Sequence, residues 1–365
     1  MNQMTGIENK EKGFHLKRLD TNSIKENKSE IRLFLVERNE ISKLPYFLEY
    51  YRRIGVNRFF VVDDKSSDGS REYLLKQDDC HIFEPSNTFK ESRAGVDWQN
   101  FLLDTYGTGH WTIVADADEL LIYPHIENVT LPDLCRYLDK EGSMALFGFL
   151  LDMYPQKDLT TATYESGKPF FETCPYFDSE YFFRKIGTFS SPIHELPRVR
   201  VVGGPRVRLF YPLQNKTSIL SRLLNTAIIK ICDRLKFIKG DKPHYAPALI
   251  KMPLVKWGAE VERLSNHVIS VPAGSKISSL TGAIMHFKFF ADFHEKAISE
   301  VNRGVHFGGS LEYKRYLKHT KKNSHMVLYY EGSRKFEGSG SLLKEGLIRS
   351  NESFDLYATK LETTQ

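Results

Sequence analysis

Four short apolar runs constrain the first third of the chain: IRLFLVE (31–37), RFFVV (58–62), HIFE (81–84) and WTIVA (111–115). Each has the length of a strand, while the segments between them carry helical periodicity. In SKLPYFLEYYRRIG (42–55), Leu44, Phe47, Leu48 and Tyr51 recur on one face. Ser42 is suited to cap this helix, Pro45 is tolerated in its first turn, and Gly55 ends it. REYLLKQ and VDWQNFLLDTYG read as the next two helices. Strands that alternate with helices form βαβ units, whose right-handed crossovers make the strands parallel. The expected fold is therefore α/β, a Rossmann-like, mostly parallel sheet flanked by helices.

Such a sheet binds ligands beyond the carboxyl ends of its strands. Three of the runs lead there into polar residues: VERNE, DDKSSD and DADE. All three should meet at one edge. Asp116, Asp118 and Glu119 crowd the last of them, directly after a buried run. Residues two apart at a strand end point the same way, so Asp116 and Asp118 share one space. Carboxylates that close repel unless a cation joins them. An all-oxygen pair suits Mg²⁺ or Mn²⁺, and magnesium fills its shell with water and substrate phosphates. The cluster thus predicts a divalent cation and a phosphate-bearing ligand. The plain alternative is a pair of carboxylates that caps the next helix or pairs with arginine. Asp63 and Asp64 offer acceptors for a ribose or a base, and Arg38 and Asn39 stand where a base or phosphate can be held. SSDGS itself reads as a turn and helix cap.

The bulk numbers agree with a globular chain: 365 residues, 41% hydrophobic and 27% charged. A net charge of +5, with no basic block interleaved with aromatics, gives no reason to expect nucleic acid. Cys80, Cys135, Cys174 and Cys232 are widely spaced, which favours reduced, packed thiols over zinc or disulfides. The first 20 residues lack an apolar signal core, and no apolar run reaches the length of a membrane span, about 20 residues. The expected location is the cytoplasm.

FLVERNEISKLPYFLEYYRRIGVNRFFVVDDKSSDGSREYL, followed by WTIVADADELL, resembles the start of a family 2 glycosyltransferase. The likeness is to the bacterial subgroup with an R-N-E opening and a D-x-D-E-hydrophobic metal motif. It is strongest over 31–124 and continues in VGGPRVRLF, PLVKW and AIMHFKFFADFHEKAISEVNRG. The resemblance implies a GT-A fold and a reaction that moves a sugar from a UDP or GDP type donor to a hydroxyl acceptor. Inversion is typical of the family, and a glycan or lipid-linked glycan acceptor in surface polysaccharide or lipopolysaccharide synthesis fits it. Asp118, with Asp116, would join Mn²⁺ or Mg²⁺ to the diphosphate. Asp63 or Asp64 would bind the nucleoside, and Arg38, Asn39 and Glu40 would line the same pocket. His286 would complete the metal shell and Lys288 would meet phosphate.

On this reading residues 1–29 are a flexible lead-in and 30–125 the nucleotide-sugar half. Residues 126–290 form the acceptor half, and 291–365 a C-terminal helical region with a polar tail. Thr130 is a plausible cap for the helix LPDLCRYLDKEG, and MALFGFLLDMY is a strand. Inversion calls for a carboxylate base. Glu195 in SPIHELP, next to His194, and Asp178 are the candidates, with Asp152 as a rival. Arg206 and Arg208 alternate as if on one strand face, and His267 and Trp257 could line an acceptor groove. The basic amphipathic helix expected at 219–240 would either pack on the core or touch the inner face of the membrane. Two other readings compete. A nucleotidyltransferase would need a Gly-rich phosphate loop, which VERNEIS lacks. A non-catalytic glycan-binding protein on the same fold would need no metal-linked nucleotide.

Overall fold

The computed structural model describes residues 7–9, 13–25, 27–185, 195–211, 249–304, 307–320 and 325–363. Eleven strands form one mixed sheet. In chain order its first members are β1 (Ile7–Asn9), β2 (Phe14–Arg18), β3 (Ile31–Glu37), β4 (Arg58–Asp63), β5 (Cys80–Pro85) and β6 (Trp111–Val114). They are followed by β7 (Glu119–Ile122), β8 (Ala145–Asp152), β9 (Ile250–Lys256), β10 (Ile277–Thr281) and β11 (Ala283–His286). Across the sheet the order is β1-β2-β5-β4-β3-β6-β9-β8-β11-β7, with β10 beside β8.

The four apolar runs become the parallel block β5-β4-β3-β6. Every residue of β4 and β6 is buried, which is why these strands read as continuous apolar runs rather than alternating ones. The helices α1 (Leu44–Ile54), α2 (Ser70–Leu74) and α3 (Val96–Tyr106) connect them. The chain steps outward from β3 to β4 and β5, then returns to the other side of β3 as β6. The winding reverses there, and a reversal opens a crevice at the carboxyl ends of the two strands. Beyond β6 the sheet turns antiparallel through β9 and β8. β11 then runs parallel to β8 and antiparallel to β7, so His286 stands between Glu119 and Asp152.

The first helix begins one residue later than the sequence suggests. Lys43, not Ser42, holds the N-cap position, because a turn through Glu40–Lys43 precedes the helix. Pro45 falls in the first turn, and Gly55 closes the helix at φ 114°. Gly55 also packs against Pro132, where a Cβ would fall 2.4 Å from the proline ring. That contact seats α1 against α4 (Leu131–Glu141), whose cap is Thr130 in a reciprocal box with Asp133.

Two expectations about the ends of the chain need correction. The lead-in contains β2, a strand paired with β5 on one side and with the short edge strand β1 on the other, and it buries Phe14 and Leu16. Its alternating pattern is short and holds only two large apolar residues, so the sequence hid it. At the other end, α5 (Phe293–Arg303) and α6 (Phe307–Thr320) are followed by α7 (Ser339–Lys344) and α8 (Glu352–Glu362). The last two are no loose tail, since Leu342, Leu347, Ile348 and Phe354 are all buried in the main core. A smaller core of Tyr154, Phe210, Phe289, Phe293 and Tyr316 seats α5 and α6. Cys80, Cys135 and Cys174 are free and buried. Among the described residues no helix is long and apolar enough to cross a membrane. The helix expected at 219–240, Cys232 and His194 lie outside the described residues.

Phe354 is fully buried and meets Tyr137 edge-on at 4.8 Å. Phe354→Ala should therefore lower unfolding free energy by about 3–5 kcal/mol, read from the midpoint of urea unfolding. A loss near zero would mean that the C-terminal helices are peripheral after all.

Candidate functional site

β6 ends at Val114, and a tight turn carries Ala115–Asp118 into β7. The three acids part company at this turn. Asp116 is exposed and Asp118 half-buried, while Glu119 is buried. Glu119 pairs with Lys251 of β9 at 2.8 Å and accepts the Asp116 backbone N–H at 3.2 Å. It pins the turn from inside the sheet. Asp118 faces the crevice instead, where Lys43 Nζ lies 3.4 Å from Oδ2 and His286 Nε2 lies 3.8 Å from Oδ1. Burial works against ionising Asp118, but Lys43, His286, Lys296 and Lys288 together outweigh it and hold its pKa well below the usual range.

His286 is fixed from behind. Its Nδ1 lies 2.7 Å from Asp152 Oδ1, and Asp152 in turn accepts two hydrogen bonds from Arg206, at 2.6 and 2.9 Å. Asp152 is fully buried. Nδ1 is thus the ring nitrogen that Asp152 holds, and Nε2 is the one turned toward Asp118. Arg206 reaches Glu312 of α6 at 3.5 Å, and Glu312 also holds Lys288 at 3.3 Å and the Tyr316 hydroxyl. The Lys288 ammonium lies 4.6 and 4.7 Å from the Tyr313 and Tyr316 rings. The sequence placed Arg206 and Arg208 on a strand. They lie instead in a wide helical turn, Arg206–Phe210, entered through Gly203 and Gly204 at positive φ. The turn sends Arg206 to Asp152 and Arg208 to Asp178.

Asp178 accepts from Arg208 at 3.0 and 3.1 Å and from the Tyr154 hydroxyl at 2.6 Å. Both oxygens of Asp178 and of Asp152 accept hydrogen bonds, and an arginine holds each carboxylate. Glu195 pairs through its backbone with Ser270, and its side chain lies outside the described residues. His267 is held by the Ile250 carbonyl at 3.0 Å, and burial and nearby Lys251 push its pKa down to about 3. Trp257 follows β9 at the point where Lys256 pairs with Trp111, the first residue of β6. It therefore sits at the opposite edge of the sheet from Asp116 and cannot line a groove there.

The ends of β3 and β4 supply the other wall. Asn39 donates its backbone N–H to Ser66 and accepts from the Ser67 N–H, which stitches the two strand-end loops together. Asp68 accepts from Ile41 and Ser70, so SSDGS is scaffold. Asp63 is fully buried and taken by Arg71 and the Ser66 N–H. Asp64 points the other way, to Arg303 at 3.1 Å and Arg38 at 3.7 Å. Glu40 meets Lys43 at 3.0 Å and Lys296 at 2.9 Å.

Lys43, Lys296, Arg303 and Glu37 carry much of this geometry and escaped the sequence reading. The two α5 cations had a readable signal, a seven-residue spacing that puts them on one helical face. Among the described residues no group of three or more His, Cys, Asp or Glu side chains is gathered as a metal cage. What the crevice offers is a half-site, Asp118 with the His286 Nε2. Such a pair fits a hard cation that takes its remaining ligands from water and phosphate. The chain matches no protein-family model, and no curated protein matches it.

Glu37, the last residue of β3, is the cross-strand neighbour of Asp63 and only 4% exposed. Its Oε1 accepts from Ser66, but Oε2 has no donor. Burial and the adjacent Asp63 push its pKa up to about 9, so near neutrality it is a carboxylic acid that can donate to Asp63. A raised acid pKa means that the folded state binds the extra proton, so stability falls as pH rises from about 4.5 through about 9. Glu37→Gln mimics the neutral form and should remove that slope. The check is the difference in unfolding free energy between wild type and variant across this range; a constant difference would contradict the neutral carboxyl.

Proposed function

We propose that this chain is a metal-dependent glycosyltransferase of the GT-A type, using a nucleoside diphosphate sugar. The observation that carries the reading is the meeting of Asp118 and His286 at the crevice where the sheet reverses its winding, with Asp152 and Arg206 behind the imidazole. A bound Mn²⁺ or Mg²⁺ would act there as a Lewis acid on the leaving diphosphate. The chain's own groups do the rest. Asp118 would supply the anionic donor, and Asp152, held 2.7 Å from Nδ1, would orient the imidazole so that Nε2 is the nitrogen offered to the metal. Arg206 holds Asp152 ionised and oriented. Asp64, Arg38 and Glu40 belong to the crevice wall beside which the nucleotide would lie. Glu195 and Asp178 are the candidates to take the proton of the acceptor hydroxyl. The acceptor, a glycan or lipid-linked glycan, would approach from the side of β8 and Asp178.

Thermal unfolding with UDP or GDP, each with and without Mn²⁺, tests this. A ligand at a hundred times its Kd should stabilise the chain by about 2.7 kcal/mol, and the metal-linked share should vanish in Asp118→Asn. Failure of both nucleotides to raise the melting temperature of the wild type in the presence of metal would sink the reading.

A further inference from the structure

α5 begins seven residues after His286 and crosses the carboxyl edges of β3 and β4. Lys296 on this helix contacts both Glu40 oxygens, at 2.9 and 3.1 Å. Arg303, two turns further on, reaches Asp64 at 3.1 Å. Seven residues advance a helix by about 10.5 Å and return the side chain to the same face. The two cations are therefore spaced along the crevice, one near Asp118 and one at the end of β4. Their side chains are 34% and 25% exposed, while Glu40 and Asp64 beneath them are 22% and 8% exposed.

This is an acid-backed row of cations. Half-buried Glu40 and buried Asp64, with Asp292 and Glu300 on the helix itself, hold Lys296 and Arg303 in place, and the exposed parts of both cations remain open to solvent. Two carboxylates cannot themselves attract a diphosphate, so any polyanion in this crevice must be met by the cations in front of them. Arg38, 40% exposed and paired with Asp64, extends the row, while buried Lys43 holds Glu40 from beneath. The aromatic cluster of Phe289, Phe293 and Tyr316 keeps α5 seated, so the row is held on a rigid element rather than a loop.

We propose that α5 is the donor-recognition helix, with Lys296 binding the diphosphate and Arg303 the nucleoside end. Glu40 and Asp64 orient these two cations instead of contacting the donor as the principal ligands. The inference rests on the donor reading given above.

Calorimetric titration of the full chain with inorganic pyrophosphate, UDP and GDP, with and without Mn²⁺, tests it on wild type, Lys296→Ala and Arg303→Ala. Lys296→Ala should weaken pyrophosphate and the bound nucleotide alike, by about tenfold or more. Arg303→Ala should weaken the nucleotide by about tenfold and leave pyrophosphate within about twofold. If the alanine variants unfold, Lys296→Gln and Arg303→Gln, which keep most of the packed stem, carry the same comparison. Wild-type affinities in both variants overturn the proposal while leaving the donor reading intact. Tighter nucleotide binding by Arg303→Ala also overturns it, since Arg303 would then be a latch competing for Asp64. A wild type that binds nucleotide but not pyrophosphate overturns the role of Lys296. A wild type that binds no nucleotide under either condition removes the donor reading and this inference together.

Discussion

The ion pair between Asp152 and Arg206 sets the geometry of the whole carboxyl edge. Its side chains are 0% and 4% exposed, and it lies where β8 ends beside β11. Desolvating two charges is expensive, so a pair like this contributes orientation more than net stability. Here the orientation is passed on. Asp152 fixes the imidazole of His286, His286 faces Asp118, and Arg206 ties the same edge to Glu312 on α6. Removing either partner would strand a charge in the core, and removing Asp152 would also release the histidine.

Around that pair the crevice alternates in sign. Asp118 faces Lys43 and His286, Glu40 faces Lys43 and Lys296, and Asp64 faces Arg38 and Arg303. Each acid has at least two basic partners, which explains how so many carboxylates share one edge of the sheet. It also answers the charge problem posed by ADADE. In this chain the positive groups nearest Asp118 are side chains supplied from distant segments.

The parallel block was legible because its strands are buried on both faces and so appear as unbroken apolar runs. The clustering of polar strand ends followed from topology alone. Side-chain roles within those ends did not. Asp63 and Asp64 are adjacent, and consecutive residues at a strand end point to opposite sides, so one became core and the other rim. Lys296 meets Glu40 across 256 positions and Arg303 meets Asp64 across 239, distances over which no local pattern operates. Arg206 was misread because two glycines at positive φ broke the alternation just before it.

The place of β9 in the sheet has a consequence for how the chain is made. Residues 250–256 form the strand between β6 and β8, although both neighbours are complete by residue 152. Until a stretch about a hundred residues further on has left the ribosome, β6 and β8 each lack their shared partner and present open edges. Such late, long-range pairing slows folding and leaves intermediates prone to associate through those edges. Assembly of the carboxyl edge therefore waits for the second half of the chain, and the two halves cannot mature one after the other.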